Sequence, residues 1–327
     1  MPRGPDTIFL MRPRFQWRLP TRSLELGRRT LIMGVLNITP DSFSDGGCFY
    51  SAESATEHGL RMLAAGADII DIGGESTRPG TAVLSGQQPD SSSATIGAQS
   101  ASPAASKIEA VTEEEELRRV LPVIRELKLH APQAVISIDT YKAVVARTAV
   151  AAGAEIVNDV SALCWDASMP ATVAELGCGV VLMHTRGRPD EWGRLPTLGA
   201  SVVESVCAEL AASAGAAEGA GIKHDRIVLD PGFGFGKILE ENYPLLARFD
   251  ELHRLGYPLL AGTSRKSFIG RTVSRHGKMV PPRRRLYGTL ATVTAAILKG
   301  AHIVRVHDVD AAREAAAVAD AILDAES

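Results

Sequence analysis

The chain has 327 residues, of which 45% are hydrophobic and 22% charged, and its formal net charge is −3. This is the composition of an ordinary globular protein with a full-sized core. A weakly acidic chain has no global electrostatic reason to bind nucleic acid or an anionic membrane, so any affinity for phosphate must be local. The four cysteines lack C-x-x-C spacing, which argues against a zinc site or a disulfide framework and indicates a reducing cytoplasm. We expect no signal peptide and no transmembrane helix, since no apolar stretch has the required character.

The first predicted element is a β-hairpin. Two short runs, "FLMRPRFQWRL" and "SLELGRR", lie within residues 7 to 30. They predict an N-terminal extension over residues 1–29 that precedes the main fold and closes one end of it. The remaining residues, 30–327, form a single predicted domain.

Eight short apolar runs follow, separated by Ala- and Leu-rich stretches of helical period. The runs are "TLIMGVLN", "ADIIDIGG", "QAVISID", "EIVNDV", "GVVLMH", "RIVLDPG", "PLLAGTS" and "HIVRVHD". Continuous rather than alternating apolar strands indicate burial on both faces, as in a parallel sheet covered by helices. Eight strands alternating with eight helices predict an α/β fold, the (β/α)8 TIM barrel, with the hairpin plugging its floor.

One segment has a different composition. Residues 81–110 are dominated by Ser, Ala, Gln and Gly, with no apolar period. Such a segment buries too little apolar surface to offset its ordering entropy, so it is predicted to be a low-complexity insertion in the loop after the second strand.

Polar residues stand at the carboxyl end of every predicted strand, where TIM barrels carry their active sites. In chain order they are Asn37, then Thr77 and Arg78, Asp139, Asn158 and Asp159, His184, Asp230, Ser264 to Lys266, and finally Arg305 and His307. A polar residue at one strand end is unremarkable because strand ends are exposed. Eight such ends meeting at one mouth predict a pocket.

The cationic members of this set cluster on the last two strands. Arg305 and His307 are two residues apart, which on a strand aims both side chains to the same side. Together with Lys266 they predict an anion site, since barrels often bind phosphate with the loops after strands seven and eight. The alternative is a surface salt bridge between Arg305 and Asp308.

Carboxylates and an amide cluster on strands three, four and six. Asp139, Asn158 and Asp230 match a flat heterocycle with amino and lactam groups. A buried carboxylate without a partner costs several kcal/mol, so the ligand or Lys266 should lie opposite it. Alternatively, Asp230 only caps the turn before Pro231.

Two further features are predicted to be structural. "GFGFGK" (232–237) fits neither the Walker nor the dinucleotide-binding pattern, and its glycines are expected to let the backbone pass close to a ligand, with Phe233 or Phe235 lining the pocket. His184 has no second His or Cys at ligand spacing, so a pocket-lining or core histidine is favoured over a metal ligand.

Six segments, in this order, closely resemble the dihydropteroate synthases of folate biosynthesis over about residues 30 to 325. They are "GVLNITPDSFSDGG", "ADIIDIGGESTRPG", "ISIDTYK", "DPGFGFGK", "GTSRKSFIG" and "RVHDV". The resemblance implies a TIM-barrel transferase, usually a homodimer, that uses magnesium. It would join 6-hydroxymethyl-7,8-dihydropterin diphosphate to 4-aminobenzoate, releasing 7,8-dihydropteroate and diphosphate.

The resemblance also implies residue roles. Catalysis would involve Asp139, Lys266, Arg305 and His307. The pterin would be held by Asp139, Asn158, Asp230 and Lys266, with Arg305 stacking on it. The diphosphate would be surrounded by Asn37, Arg78, Arg305 and His307, with Asn37 also binding Mg²⁺. The aminobenzoate would be framed by Phe43, Thr77, Arg78, Pro79, Phe235 and Ser264.

For this reaction we predict a dissociative, carbocation-like substitution, because the aromatic amine is a weak nucleophile and the departing anion can be stabilised by cations. Two other functions fit the barrel. A pterin-binding methyltransferase is disfavoured by "STRPG", "SRKS", Arg305 and His307, since a methyl donor brings no diphosphate. An inactive folate-binding homologue is disfavoured because every motif residue is present.

Overall fold

The computed structural model describes residues 12–38, 52–76, 110–274 and 277–325. The predicted insertion, up to residue 109, and the segment that follows Ile38 lie outside the described residues.

The predicted hairpin and all eight predicted barrel strands are confirmed. The hairpin pairs β1 (Phe15–Arg18) with β2 (Ser23–Leu26) in antiparallel register. The barrel strands are β3 (Leu31–Asn37), β4 (Ile69–Gly73), β5 (Val135–Asp139), β6 (Ile156–Asp159), β7 (Gly179–Met183), β8 (Ile227–Asp230), β9 (Leu260–Ala261) and β10 (Ile303–Val306). They form one parallel sheet in the order β8-β7-β6-β5-β4-β3-β10-β9, and a parallel bridge between Leu229 and Leu259 joins its two edges. The sheet is therefore closed into a barrel.

Helices separate these strands and cover the barrel. Within the described residues they are α1 (Ala52–Ala64), α2 (Glu113–His130), α3 (Ala143–Ala151), α4 (Met169–Leu176), α5 (Val202–Gly219), α6 (Asn242–Ala247), α7 (Ser267–Thr272), α8 (Leu286–Leu298) and α9 (Val309–Ala325). The run "NYPLLARFDELHRLG" (242–256) has a sequence typical of one helix, and the expectation that it forms one α-helix is wrong. The backbone leaves α-helical geometry at Arg248 and continues as a 3₁₀ helix, Phe249–Leu255, ending at Gly256 with φ +80°. The sequence did not indicate α7, because six residues are too few for a helical period to show.

The N-terminal hairpin closes the floor of the barrel. Trp17, Leu19 and Leu26 are buried in one cluster with the inward-facing residues near the amino ends of the strands. The indole Nε1 of Trp17 donates to the carbonyl oxygen of Arg226, 2.8 Å away. A Cβ at Gly179 would lie 2.5 Å from Leu19 Cδ2, so glycine is required there for the hairpin to approach.

In the described part of the chain, one helical segment, Gly199–Gly219, is long and apolar enough to cross a membrane by length and composition alone. Its residues Val202, Val206, Leu210 and Ala214 belong to the core between barrel and helices. These four residues form the face of the segment that packs against the barrel.

Candidate active site

The upper layer of the barrel interior carries a row of aligned polar positions. Asn37 pairs with Gly73, Gly73 with Asp139, and Asp139 with Asn158, each on a neighbouring strand. On each strand the position lies two or four residues after an apolar residue that faces the barrel interior, namely Met33, Ile69, Val135 or Ile156. Side chains at even spacing on a strand point the same way, so Asn37, Asp139 and Asn158 also point inward. A Cβ at Gly73 would lie 3.6 Å from both Asn37 Oδ1 and Asp139 Oδ2. Glycine thus leaves a gap between these two oxygens.

Arg305 is the centre of a buried polar network. Its Nε donates to Asp71 Oδ2 and its Nη2 to Asp139 Oδ2, both at 2.6 Å. Asn158 Nδ2 donates to the same oxygen of Asp71 at 3.1 Å. The alternative pairing of Arg305 with Asp308 is wrong: Asp308 pairs with Arg265, whose Nε lies 3.0 Å from Asp308 Oδ2. Sequence reasoning missed Asp71, whose one signal was an acid inside an otherwise apolar strand.

The charged groups in this network change each other's pKa values. Burial raises the pKa of Asp139 to about 7 against the opposing attraction of Arg305. Burial also opposes the charge of Arg305, but Asp71 and Asp139 outweigh it and raise the pKa of the guanidinium. Arg305 therefore stays charged at neutral pH, whereas Asp139 is poised to gain or lose a proton with a change in its surroundings.

Asp230 caps the turn before Pro231 with one carboxylate oxygen and keeps the other on the pocket side. Its Oδ1 accepts the backbone N–H of Gly232 at 2.7 Å, which is the turn cap. Its Oδ2 points toward Gly262, where a Cβ would lie 3.5 Å away, and Arg305 Cβ lies 4.0 Å from the same position. One carboxylate oxygen thus fixes the turn while the other remains on the pocket side. Burial raises the pKa of Asp230.

Lys266 faces the ring of Phe235. Its ammonium is 3.8 Å from the ring centroid, a cation–π contact. Burial, together with the nearby charge of Arg305, lowers the pKa of Lys266 to about 7. Within the described residues Lys266 forms no ion pair with Asp139 or Asp230, although both carboxylates attract its charge. Of the two predicted partners of the buried carboxylates, the ligand or Lys266, the lysine lies near them without direct contact.

The loop that carries Phe235 is held by a lysine that sequence reasoning did not single out. Lys237 Nζ donates to the carbonyl oxygens of Gly232 at 2.8 Å and Phe235 at 3.2 Å, and lies 2.8 Å from His184 Nδ1. His184 in turn contacts Glu209 through Nε2 at 3.1 Å. Burial lowers the pKa of His184 to about 4, so its ring is neutral and accepts from Lys237. The histidine is a buried structural partner of the loop.

Two predicted residues of the seventh and eighth strand ends touch each other. Ser264 Oγ lies 3.0 Å from His307 Nδ1 and accepts the backbone N–H of His307 at 3.2 Å. Between Ser264 and Lys266, Arg265 has a φ of +58°, a conformation fixed by Thr289 Oγ1 accepting its N–H at 3.0 Å. The side chain of Arg265 itself is directed to Asp308, and Ser264 and Lys266 lie on either side of it in the chain.

Four predicted site residues, Phe43, Thr77, Arg78 and Pro79, lie outside the described residues. The described residues on either side of residues 77–109 are tied together by a buried charge cluster. Lys142 Nζ donates to Glu75 Oε2 and Glu116 Oε2, each at 2.6 Å, and to the carbonyl oxygen of Val111 at 2.8 Å. Glu75 and Val111 are therefore held to the same ammonium.

Groups of three or more His, Cys, Asp or Glu side chains able to hold a metal are absent from the described ranges. What the pocket offers is an inner wall of acid and amide oxygens, with guanidinium, ammonium and imidazole groups beside it. Such a site can hold a planar polar ring and stabilise an anion next to it.

Known proteins share this fold. A family model described as pterin binding enzyme matches residues 33–90 and 95–307. A dihydropteroate synthase from Synechocystis sp. is 42% identical over 298 residues, which cover 90% of this chain and 91% of that protein. A Xanthomonas albilineans dihydropteroate synthase structure with 4-aminobenzoic acid has a TM-score of 0.79 and 42% identity, covering 95% of this chain and 98% of that one. Another, in complex with 7,8-dihydropteroate, has a TM-score of 0.75 and 39% identity, with 95% and 98% covered.

The barrel and its mouth thus define a pterin-binding enzyme, and the chain belongs to that family. The similarity to the Synechocystis protein extends over nine-tenths of each chain. Within the class, the chain belongs to the dihydropteroate synthases, transferases of folate biosynthesis.

Proposed function

We propose that the chain condenses 6-hydroxymethyl-7,8-dihydropterin diphosphate with 4-aminobenzoate by a dissociative substitution, in which the C–O bond to diphosphate breaks largely before the amine attacks. The observation that carries this proposal is the position of Arg305, which is bonded to Asp139 on the acidic side of the pocket and lies on the same strand end as His307. The Arg305 guanidinium thus lies between the proposed ring-binding part and the proposed anion-binding part of the pocket.

The pterin ring would bind against Asp139, Asn158, Asp230 and Lys266. The Asp230 oxygen not used by the turn and the Asn158 amide supply the hydrogen-bonding groups that a ring with amino and lactam functions needs. Arg305 would stack on the ring, which suits a planar guanidinium already held by two carboxylates.

The diphosphate would bind to Asn37, Arg78, Arg305 and His307. As the C–O bond breaks, negative charge accumulates on the departing oxygen, and the guanidinium and imidazole stabilise it without reorganisation. Positive charge develops on the pterin methylene at the same time. Since burial raises the pKa of Asp139 to about 7, a cation forming nearby would favour its ionised form, which then stabilises that cation.

The amine would enter from a site framed by Phe43, Thr77, Arg78, Pro79, Phe235 and Ser264. Phe235 is fixed by the Lys237 contacts, and Ser264 by the His307 backbone. The amine is neutral at pH 7, so these residues need to orient it rather than deprotonate it.

Magnesium fits this site as the proposed cofactor. Mg²⁺ prefers oxygen ligands and is usually bound by one or two protein groups together with substrate phosphates. The amide oxygen of Asn37 lies at the strand end beside the gap left by Gly73, with Asp139 across it. When bound, the ion would neutralise charge on the diphosphate.

The decisive experiment is coupled diphosphate release, with and without 4-aminobenzoate, in the presence of Mg²⁺ or EDTA. We expect release that requires Mg²⁺. Positional isotope exchange in the bridging oxygen without net turnover would support bond breakage before attack. Strict dependence of cleavage on the amine, with no scrambling, would contradict the dissociative mechanism.

We propose a homodimer formed through α8 and α9. Tyr287 is 85% exposed and Val318 63% exposed. The half-buried Leu290, three residues after Tyr287 on α8, lines a shallow groove together with Val318 of α9. Val318→Glu should give the monomer mass in light scattering, whereas Leu129→Glu, at an exposed apolar residue of α2, should not. A monomeric wild-type protein would contradict the proposal.

We also propose a cytoplasmic location and small molecules as the binding partners. Cys178 and Cys207 are buried free thiols, as in proteins of a reducing compartment. Neither nucleic acid nor membrane is an expected partner of this weakly acidic chain.

A further inference from the structure

Asp71 has no role in the proposed reaction, yet it contacts two of the residues that do. It is the third residue of β4, its side chain is fully buried, and it faces the barrel interior two residues below Gly73. Its Oδ2 accepts hydrogen bonds from Arg305 Nε at 2.6 Å and from Asn158 Nδ2 at 3.1 Å. A single carboxylate oxygen therefore fixes a guanidinium and an amide together.

This contact determines which way round the Asn158 amide lies. An ionised carboxylate can only accept hydrogen bonds, so the amide atom that faces it must be the NH₂ group. The reversed amide would put its oxygen against the carboxylate and lose the bond. With Nδ2 engaged by Asp71, the carbonyl oxygen of Asn158 is turned away from Asp71.

A purely structural role does not account for the rest of the carboxylate. In the described part of the chain, Asp71 Oδ1 is buried without a hydrogen-bond partner. The hydroxyl of Ser137, which pairs in register with Asp71 on β5, is also buried without a partner. A buried acid retained only for stability would be expected to use both of its oxygens, since each unsatisfied one costs free energy. Here the oxygen in use serves the two pocket side chains.

We propose that Asp71 is a positioning residue that fixes the Asn158 amide so that its carbonyl oxygen accepts a hydrogen bond from an N–H group on the edge of the pterin ring, while holding Arg305 in place. The proposal rests on the proposed pterin-binding role of Asn158. It makes Asp71 the residue that sets Asn158 as an acceptor, and so selects ligands with an N–H donor at that edge.

Asp71→Asn tests this assignment, because the amide has the same shape but no longer dictates the orientation of Asn158. Calorimetry with 6-hydroxymethylpterin, which lacks the diphosphate, isolates the ring pocket. We expect the affinity to fall roughly 10-fold, the size of one lost hydrogen bond to a correctly oriented group. Ser137→Ala, in the same layer on the adjacent strand, is the matched control and should bind the ring as wild type does. Wild-type affinity in Asp71→Asn would overturn the proposal.

A double-mutant cycle separates positioning from a general loss of stability. If Asp71 acts through Asn158, then the loss of ring affinity caused by Asp71→Asn should be clearly smaller when Asn158 is already Ala than when it is Asn, and the loss that remains measures the contact of Asp71 with Arg305. Additive losses in the double variant would show that Asp71 acts elsewhere, and would sink the idea.

A neutron structure of the unliganded wild type gives a second measurement that needs no variant to fold. The deuterium atoms of the Asn158 amide should point at Asp71, and the reverse orientation refutes the proposal. Failure of the proposed function has a different signature: wild-type enzyme would then not bind the pterin ring, whatever the amide orientation. The two outcomes are thus distinguishable.

Discussion

At the scale of single residues, the pocket concentrates charges that burial alone would disfavour. Arg305 is compensated by two carboxylates, Asp71 and Asp139, whereas the Lys266 ammonium has an aromatic ring as its near contact. Removing one member of a buried charge set leaves the others uncompensated. Arg305→Ala should therefore be destabilising as well as inactive, while substitutions at Lys266 can separate activity from stability.

Lys266→Met is expected to lower turnover roughly 100-fold or more, because it removes a buried cation from the proposed pterin site. Stability should respond in the opposite direction. The folded-state pKa of Lys266 is lowered to about 7, so between pH 7 and its ordinary value of 10.5 the unfolded chain holds a proton that the folded chain has released. Wild-type stability therefore gains from this group as pH rises through that window, and the variant lacks this gain.

The variant should accordingly be more stable than wild type at pH 7, by on the order of 1–3 kcal/mol, with a smaller advantage at pH 9.5. Denaturant unfolding at the two pH values measures the difference. Lys223→Met, at an exposed lysine, is the control and should show no such change. An advantage for Lys266→Met that is the same at both pH values would contradict the assignment.

Gly73→Ala tests the gap between Asn37 and Asp139. The new methyl group would meet its neighbours at 3.5–3.6 Å, an ordinary contact, so the fold should tolerate it and gain up to about 0.5 kcal/mol. The methyl group would take up space next to Asn37, where we propose that the diphosphate binds, and kcat/KM should fall roughly 10-fold. Gly215→Ala in α5, with no atom within 4 Å of the added carbon, should leave the kinetics unchanged. Unaltered kinetics in Gly73→Ala would remove this gap from the site.

The sequence could predict Asn37, Asp139 and Asp230 because each ends a strand, where an apolar run changes to polar residues. Asp71 and Gly73 gave no comparable signal. Asp71 lies inside an apolar run, and its importance comes from β6 and β10, which are far away in the chain. Gly73 matters for the space that it leaves, which only the assembled barrel defines.

At the scale of elements, glycines with positive φ in the loop after β8 determine where the flanking side chains lie. Gly232 and Gly234 have φ values of +65° and +80°, and these turns place Asp230 on one side and Phe235 on the other. The motif "GFGFGK" predicted close approach of the backbone to a ligand, and the approach that the structure shows is to His184 at Gly232 and to Arg186 at Gly236. The partner could not be read from the sequence, since His184 lies on another strand end.

Gly232→Ala and Gly234→Ala form a matched pair that tests this loop. Both positions have positive φ, so both substitutions carry a strain of roughly 1 kcal/mol. At Gly232 the added carbon would also lie 1.9 Å from the backbone oxygen of His184, whereas at Gly234 its nearest neighbour is Lys266 Cδ at 3.5 Å. We expect Gly232→Ala to cost roughly 3 kcal/mol more in urea unfolding. Equal losses would mean that the His184 contact is not rigid.

At the scale of the whole molecule, the barrel separates stability from function along its axis. The floor is an apolar cluster shared with the hairpin, and the mouth carries the polar network. Strand order and barrel closure could be predicted because eight continuous apolar runs alternate with helices. The break of the helix at Arg248 could not, because its apolar period continues through residues that the backbone places in 3₁₀ geometry.

Trp17→Ala tests this separation. Trp17 is fully buried at the amino ends of the strands, and its loss removes a large core side chain together with the bond to Arg226. We expect a loss of roughly 3–5 kcal/mol in unfolding free energy. Because the site lies at the opposite ends of the strands, kcat/KM of the folded variant at 25 °C should stay within about twofold of wild type. Glu25→Ala, at an exposed residue of the same hairpin, should change neither quantity. A fall in kcat/KM of the folded Trp17 variant would instead mean that packing at the floor sets the positions of Asp71 and Arg305 above it.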